Sequence, residues 1–226
     1  MESFIMKGQA ELKSFYGPYF NTETELETFL FDALDYENGL LARRQMLYQV
    51  QRFVSLADDI DQLRPGRDCL RMLFIRICLE SLYSLSNNSN NKKMFFNNFA
   101  DYFSDAGKQY ILGNFRLLSF EDEFCGHIFE ASHELTLMDF LEILKVARDQ
   151  VVHEGVYWDK QFFAHDDDSH WLTSIETKEN MLVTYNYQRK QKKNVTYHFE
   201  TTMNYNKFVY YFVEACVNYI QGINVD

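Results

Sequence analysis

From Thr22 to Leu85 the apolar residues recur at helical spacing, and a single Pro65-Gly66 step breaks the run. That pattern commits the chain to packed helices, because each apolar stripe has to be covered by another element. The 226 residues hold only 2 prolines and 9 glycines, so few positions interrupt a helix. Thr22 to Tyr36 opens with a Thr cap and acids in its first turn, and Leu26, Phe29, Leu30, Ala33 and Leu34 make one stripe. Glu37 to Leu63 continues helical, with Leu40, Leu41, Leu47, Val50, Phe53, Val54, Leu56 and Ile60 at the apolar positions. Arg67 to Leu85 is the most apolar helix. Its Leu70, Leu73, Phe74, Ile77, Leu82 and Leu85 are expected to face inward, with Arg71 and Arg76 off the stripe.

After the polar run Asn87-Asn88-Ser89-Asn90-Asn91, the aromatic stretch 94–120 fits two shorter helices around Gly107 and Gly113. Residues 120–134 show no decisive period. Thr136 to Glu154 is a helix with a capping-box-like Thr136/Asp139 pair and a stripe of Leu137, Phe140, Leu141, Leu144, Ala147 and Val151, stopped by Gly155. The period then changes. Leu182 to Tyr187 and Val195 to Phe199 are β-branched and aromatic, and the basic run Arg189 to Lys193 lies between them, which reads as a β-hairpin. A last helix over 205–221 buries Phe208, Tyr211, Phe212, Ala215 and Tyr219. No repeat or linker appears. The expectation is one mainly α domain over 1–226: a helical bundle at about 20–160, a small β-hairpin at about 182–199, and a C-terminal helix at about 205–221.

A hydrophobic share of 46% and an aromatic share of 17% exclude a disordered chain. The net charge of -11 argues against a surface basic enough overall to coat DNA or an anionic membrane, though a local basic site is compatible with it. Cys69, Cys78, Cys125 and Cys216 contain no C-x-x-C pair, so neither a disulfide framework nor a zinc knuckle is indicated. Reduced buried thiols fit a cytoplasmic protein. The first residues, MESFIMKGQAELK, are too polar for a signal peptide, and no apolar run approaches the roughly 18 residues of a membrane span. Phosphate-loop, nucleophile-elbow, zinc-protease and dinucleotide strings are missing, and no cofactor or metal is expected.

The chemistry concentrates in Arg148-Asp149-Gln150-Val151-Val152-His153 at the end of the 136–154 helix. An arginine and a histidine there put a fixed cation beside a base that titrates near neutral pH. The pair suits metal-free cleavage of RNA. An imidazole takes the proton of a 2′-hydroxyl or protonates the leaving oxygen, and a guanidinium holds the phosphate and its developing charge. Asp149 is the candidate to orient the imidazole or a nearby backbone group. On an undistorted helix Arg148 and His153 stand about 140° apart. Either the last turn loosens, or two copies meet across a two-fold axis and share one site. The competing expectation is structural: Arg148 pairs with Glu142 or Asp149, and His153 caps the helix dipole.

R-D-Q-V-V-H at the end of an amphipathic helix, followed by Gly155, resembles the R-x-x-x-x-H motif of HEPN domains, and Asp149 matches the small polar residue usual after the arginine. The resemblance spans residues 20–160 by architecture and about eight residues by motif. It implies a bundle of four or five helices that dimerises, with the motifs of two protomers forming one metal-independent ribonuclease site. It further implies a toxin of a toxin–antitoxin pair, with an antitoxin or regulatory protein as partner, or an antiviral defence effector. Other members are inactive interaction or RNA-binding modules, and that alternative stays open. The hairpin is not a general feature of the family.

Arg189, Lys190, Lys192 and Lys193 gather cations between Tyr185, Tyr187 and Tyr197, the ingredients of single-stranded RNA contact. The loop is expected on the same side as Arg148. Its bland counterpart is a solvated hairpin tip whose charges protect the strands. Asp166-Asp167-Asp168 between His165 and His170, and Glu121-Asp122-Glu123 near His127, match no metal-loop spacing and read as solvated acidic segments.

Overall fold

The computed structural model describes residues 2–34, 41–86, 92–122, 127–130, 134–149, 151–152, 162–164, 171–177 and 195–223. Eight α-helices dominate these residues: α1 (Glu2–Tyr16), α2 (Glu23–Leu34), α3 (Leu41–Leu63), α4 (Asp68–Leu85), α5 (Lys92–Phe99), α6 (Asp105–Asn114), α7 (Leu137–Asp149) and α8 (Tyr205–Gly222). Four strands, β1 (Phe115–Asp122), β2 (His127–Glu130), β3 (Trp171–Thr177) and β4 (Val195–Thr201), form one antiparallel sheet in the order β2-β1-β4-β3. The chain is therefore mainly helical, with an antiparallel β element before the last helix.

The β element is larger than the expected hairpin. β4 pairs with β3 on one side and with β1 on the other, so both of its edges are taken. The expected strand at 182–187 lies outside the described residues. β1 was expected to be helix or irregular. Its inward residues are Phe115, Leu117 and Phe120, a spacing that breaks the strand period. A bulge between Leu117 and Ser119 absorbs the extra residue and returns Phe120 to the buried face. That face, completed by Val195, Tyr197 and Phe199, packs on the helices through aromatic contacts. Phe115 meets Phe140 of α7 edge-on at 5.3 Å, and Phe140 meets Phe208 of α8 at 5.8 Å.

The helical caps follow the sequence. The Glu25 carboxylate accepts from the Thr22 and Asn21 N–H groups while Thr22 Oγ1 accepts from Glu25 N, which starts α2. Gly66 takes a φ of 71°, a left-handed conformation, and lets α3 fold back on α4. α1 falls outside the expected bundle range of 20–160. It buries Leu12 and Tyr16, and the Tyr16 hydroxyl donates to the Leu47 carbonyl at 2.8 Å, tying α1 to α3.

α4 departs most from expectation. It packs between α3 and α7. Its buried residues are Asp68, Cys69, Arg71, Met72, Ile75, Arg76, Cys78, Leu79 and Leu82. Leu70, Leu73, Phe74 and Ile77 are only partly buried, and the two arginines placed off the stripe lie inside. On α3, Leu41 and Leu56 are exposed rather than inward. Asp68, fully buried, accepts from the Phe162 and Phe163 N–H groups at 2.9 Å each and fixes residues 162–164 to the start of α4. Arg71 approaches Asp68 at 3.4 Å, pairs with Asp61, and lies 4.1 Å over the Tyr205 ring. Cys69, Cys78 and Cys216 are buried, while Cys125 lies outside the described residues. No described helix is long and apolar enough to cross a membrane.

Candidate functional site

α7 starts where the sequence places it. Thr136 N donates to the Asp139 carboxylate at 2.8 Å, and Asp139 N returns the bond to Thr136 Oγ1 at 3.2 Å. Leu137, Phe140, Leu141, Leu144 and Ala147 are buried as expected, together with Ile143 and Val146. This burial holds the last turn of α7 against α4 and fixes the position of Arg148. Val151 and Val152 continue in a wider, π-helical turn. A departure from the α-helical repeat at this point is one of the two ways in which Arg148 and His153 could come to share a site. His153 lies outside the described residues.

Arg148 leaves 18% of its side chain exposed. Its Nη1 donates to Asp149 Oδ1 at 2.5 Å, and its Nη2 donates to Glu80 Oε1 across from α4. The ion pair with Asp149 was expected. The alternative with Glu142 is not formed; Glu142 pairs with Lys145 at 2.7 Å instead. Arg148 Nε is buried and makes no hydrogen bond among the described residues.

The same Glu80 oxygen lies 3.5 Å from Arg76 Nε, one helical turn back on α4. Arg76 is 1% exposed. Its Nη1 donates to the Leu141 carbonyl at 3.2 Å, and its guanidinium lies 3.8 Å over the Phe96 ring. Burial pulls its pKa below the usual arginine value; the Glu80 and Glu142 carboxylates oppose that shift, and the Arg148 cation adds to it. The site is thus two guanidiniums on neighbouring helices facing one carboxylate, with Asp149 at its rim.

Sequence reasoning missed Arg76 and Glu80. The available signal was their spacing of four residues inside the most apolar helix, where a charge needs a partner. The basic loop residues Arg189, Lys190, Lys192 and Lys193 lie outside the described residues, as do Asp166, Asp167, Asp168, His165 and His170. Among the described residues no group of three or more His, Cys, Asp or Glu side chains could hold a metal ion.

Chemically, a guanidinium clamped by two carboxylates is held in orientation but masked. An incoming phosphate has to take the place of one of them, since phosphate and carboxylate are both anions that present a pair of oxygens to the same guanidinium fork. Compared with protein-family models, curated proteins and solved structures, the chain matches none.

Proposed function

We propose that the chain is a HEPN-like, metal-independent endoribonuclease that acts as a homodimer, in the role of a toxin or antiviral defence effector. The observation that supports this reading best is the placement of Arg148. It is a largely enclosed guanidinium held by Glu80 and Asp149 on the last turn of α7, five residues before His153. In the proposed reaction a neutral imidazole of His153 accepts the proton of the RNA 2′-hydroxyl. The 2′-oxygen attacks the adjacent phosphorus, the bond to the 5′-oxygen breaks, and an imidazolium protonates that leaving oxygen. Arg148 stabilises the charge that develops on the phosphoryl oxygens. A composite site with one motif from each protomer supplies both an acid and a base. The net charge of -11 limits contact with long RNA to local basic surface, for which Arg189, Lys190, Lys192 and Lys193 are the proposed residues.

The test is cleavage of RNA by the purified chain in excess chelator, against the His153→Ala and Arg148→Ala variants. Chelator-resistant cleavage that both variants lose supports the reading. Loss of cleavage in chelator, or full cleavage by His153→Ala, overturns it.

Engagement of both Arg148 Nη atoms by carboxylates favours a second reading, a non-catalytic HEPN-like interaction or RNA-binding module. It predicts no cleavage, together with a stable complex seen by light scattering and pull-down.

A further inference from the structure

We propose that Glu80 is a movable counter-ion with two seats, Arg148 and Arg76, and that it moves to Arg76 when an RNA phosphate binds Arg148. The proposal rests on the nucleic-acid reading above, and it makes Arg76 a positioning residue.

The geometry of Arg76 carries the argument. A guanidinium grips a carboxylate side-on through Nε and one Nη. In Arg76 those two atoms, Nε and Nη2, are both buried and without a hydrogen-bond partner among the described residues. Such orphaned donors are rare in a protein interior and call for an explanation. Glu80 Oε1 already lies 3.5 Å from Arg76 Nε, an ion-pair contact longer than an ordinary hydrogen bond, and Arg148 holds the same oxygen. The remaining Arg76 contacts, the Leu141 carbonyl at 3.2 Å and the Phe96 ring at 3.8 Å, hold the guanidinium still and leave that edge open.

The two seats also differ in access. Arg76 is 1% exposed, so no phosphate of a polymer reaches it. Arg148 keeps 18% of its side chain in solvent, and Asp149 beside it is 39% exposed. An anion arriving from solvent therefore meets Arg148 first and repels the carboxylate already there. Among the described residues Arg76 stands four residues away on the same helix with donors still open, so a rotation of the Glu80 side chain brings its carboxylate onto that edge. The exchange keeps every charge in the cluster compensated, which a buried site requires. Arg148 stays masked until an anion competes for it.

The test reads binding without cleavage. A fluorescent 2′-O-methyl RNA oligonucleotide lacks the attacking hydroxyl, and its affinity for the full chain is measured by anisotropy in chelator. Glu80→Gln is expected to tighten binding roughly tenfold, because the competing anion is gone. Arg76→Lys keeps the charge but lacks the Nε–Nη2 edge, and is expected to weaken binding. The double variant is expected to bind like Glu80→Gln, since Arg76 acts only through Glu80. Binding unchanged or weakened in Glu80→Gln, or a double variant that retains the Arg76→Lys defect, overturns the two-seat exchange. If Glu80→Gln does not fold, the wild type decides. The side-chain Nε–H resonance of Arg76 is expected to shift and to exchange more slowly with solvent on saturation with the oligonucleotide, and an unmoved resonance overturns the exchange. A wild-type chain that binds no oligonucleotide overturns the nucleic-acid reading itself and the exchange with it.

Discussion

Asp68 shows how much one buried carboxylate can hold in place. Its Oδ2 accepts two backbone N–H groups, from Phe162 and Phe163, and its Oδ1 faces Arg71. Asp68→Ala strands those donors and removes one of the two carboxylates from a buried arginine. The expected loss is about 3–5 kcal/mol in urea unfolding, and an unchanged midpoint would deny the role. At Arg148 the expected effect falls on activity. Arg148→Lys retains the charge but loses the planar fork, so cleavage should drop by about two orders of magnitude in single-turnover assays. Full retention would reduce Arg148 to a structural counter-ion. Arg148 and Asp149 were legible in the sequence as local neighbours at a helix end. Glu80 was not, because it lies 68 residues away from Arg148 and only packing of α4 on α7 brings them together. Arg76 was misplaced outright: polarity suggested the surface, whereas an aromatic ring, a carbonyl and Glu80 meet it inside.

At the scale of elements, α2, α3, α4, α7 and α8 lie within a few residues of their expected limits, because apolar period and caps are local signals. The α7 cap is open to measurement. Thr136→Ala removes the oxygen that accepts Asp139 N, and about 1 kcal/mol of stability should go with it, read as a lowered thermal midpoint. No loss would mean that packing of α7 alone sets its start. Faces were harder than limits. α4 is apolar nearly all round, so period could not choose its buried side, and the choice fell to α3 and α7. β1 escaped because the bulge near Leu118 breaks the alternation that identifies a strand. β4 was read correctly as a strand, but its partners are set by pairing with β1 and β3, separated from it by tens of residues.

For the whole molecule, buried phenols predict an alkaline limit. Burial pushes Tyr16, Tyr19, Tyr205 and Tyr219 above the usual phenol range, and the Asp58 carboxylate adds to the effect at Tyr205. Above about pH 10 the unfolded chain releases these protons while the folded chain keeps them. Their contribution is therefore complete below that pH and is lost as the pH rises further. Tyrosinate absorbance should show these groups ionising together with the loss of helical circular dichroism; ionisation in the intact fold would refute it. Dimerisation belongs to this scale as well. If the proposed composite site is correct, specific activity should fall on dilution below the dimer dissociation constant seen by light scattering, and concentration-independent activity would count against it. The sequence by itself determined a mainly helical chain, the caps and lengths of its principal helices, and the Arg148-Asp149 pair at the end of one of them, because these depend on residues within a few turns of one another. Only the tertiary structure decided which side of α4 is buried, how the strands pair, and that Glu80 stands between Arg76 and Arg148. Those outcomes depend on contacts between distant segments, where the need to compensate a buried charge outweighs the local preference of an arginine for water.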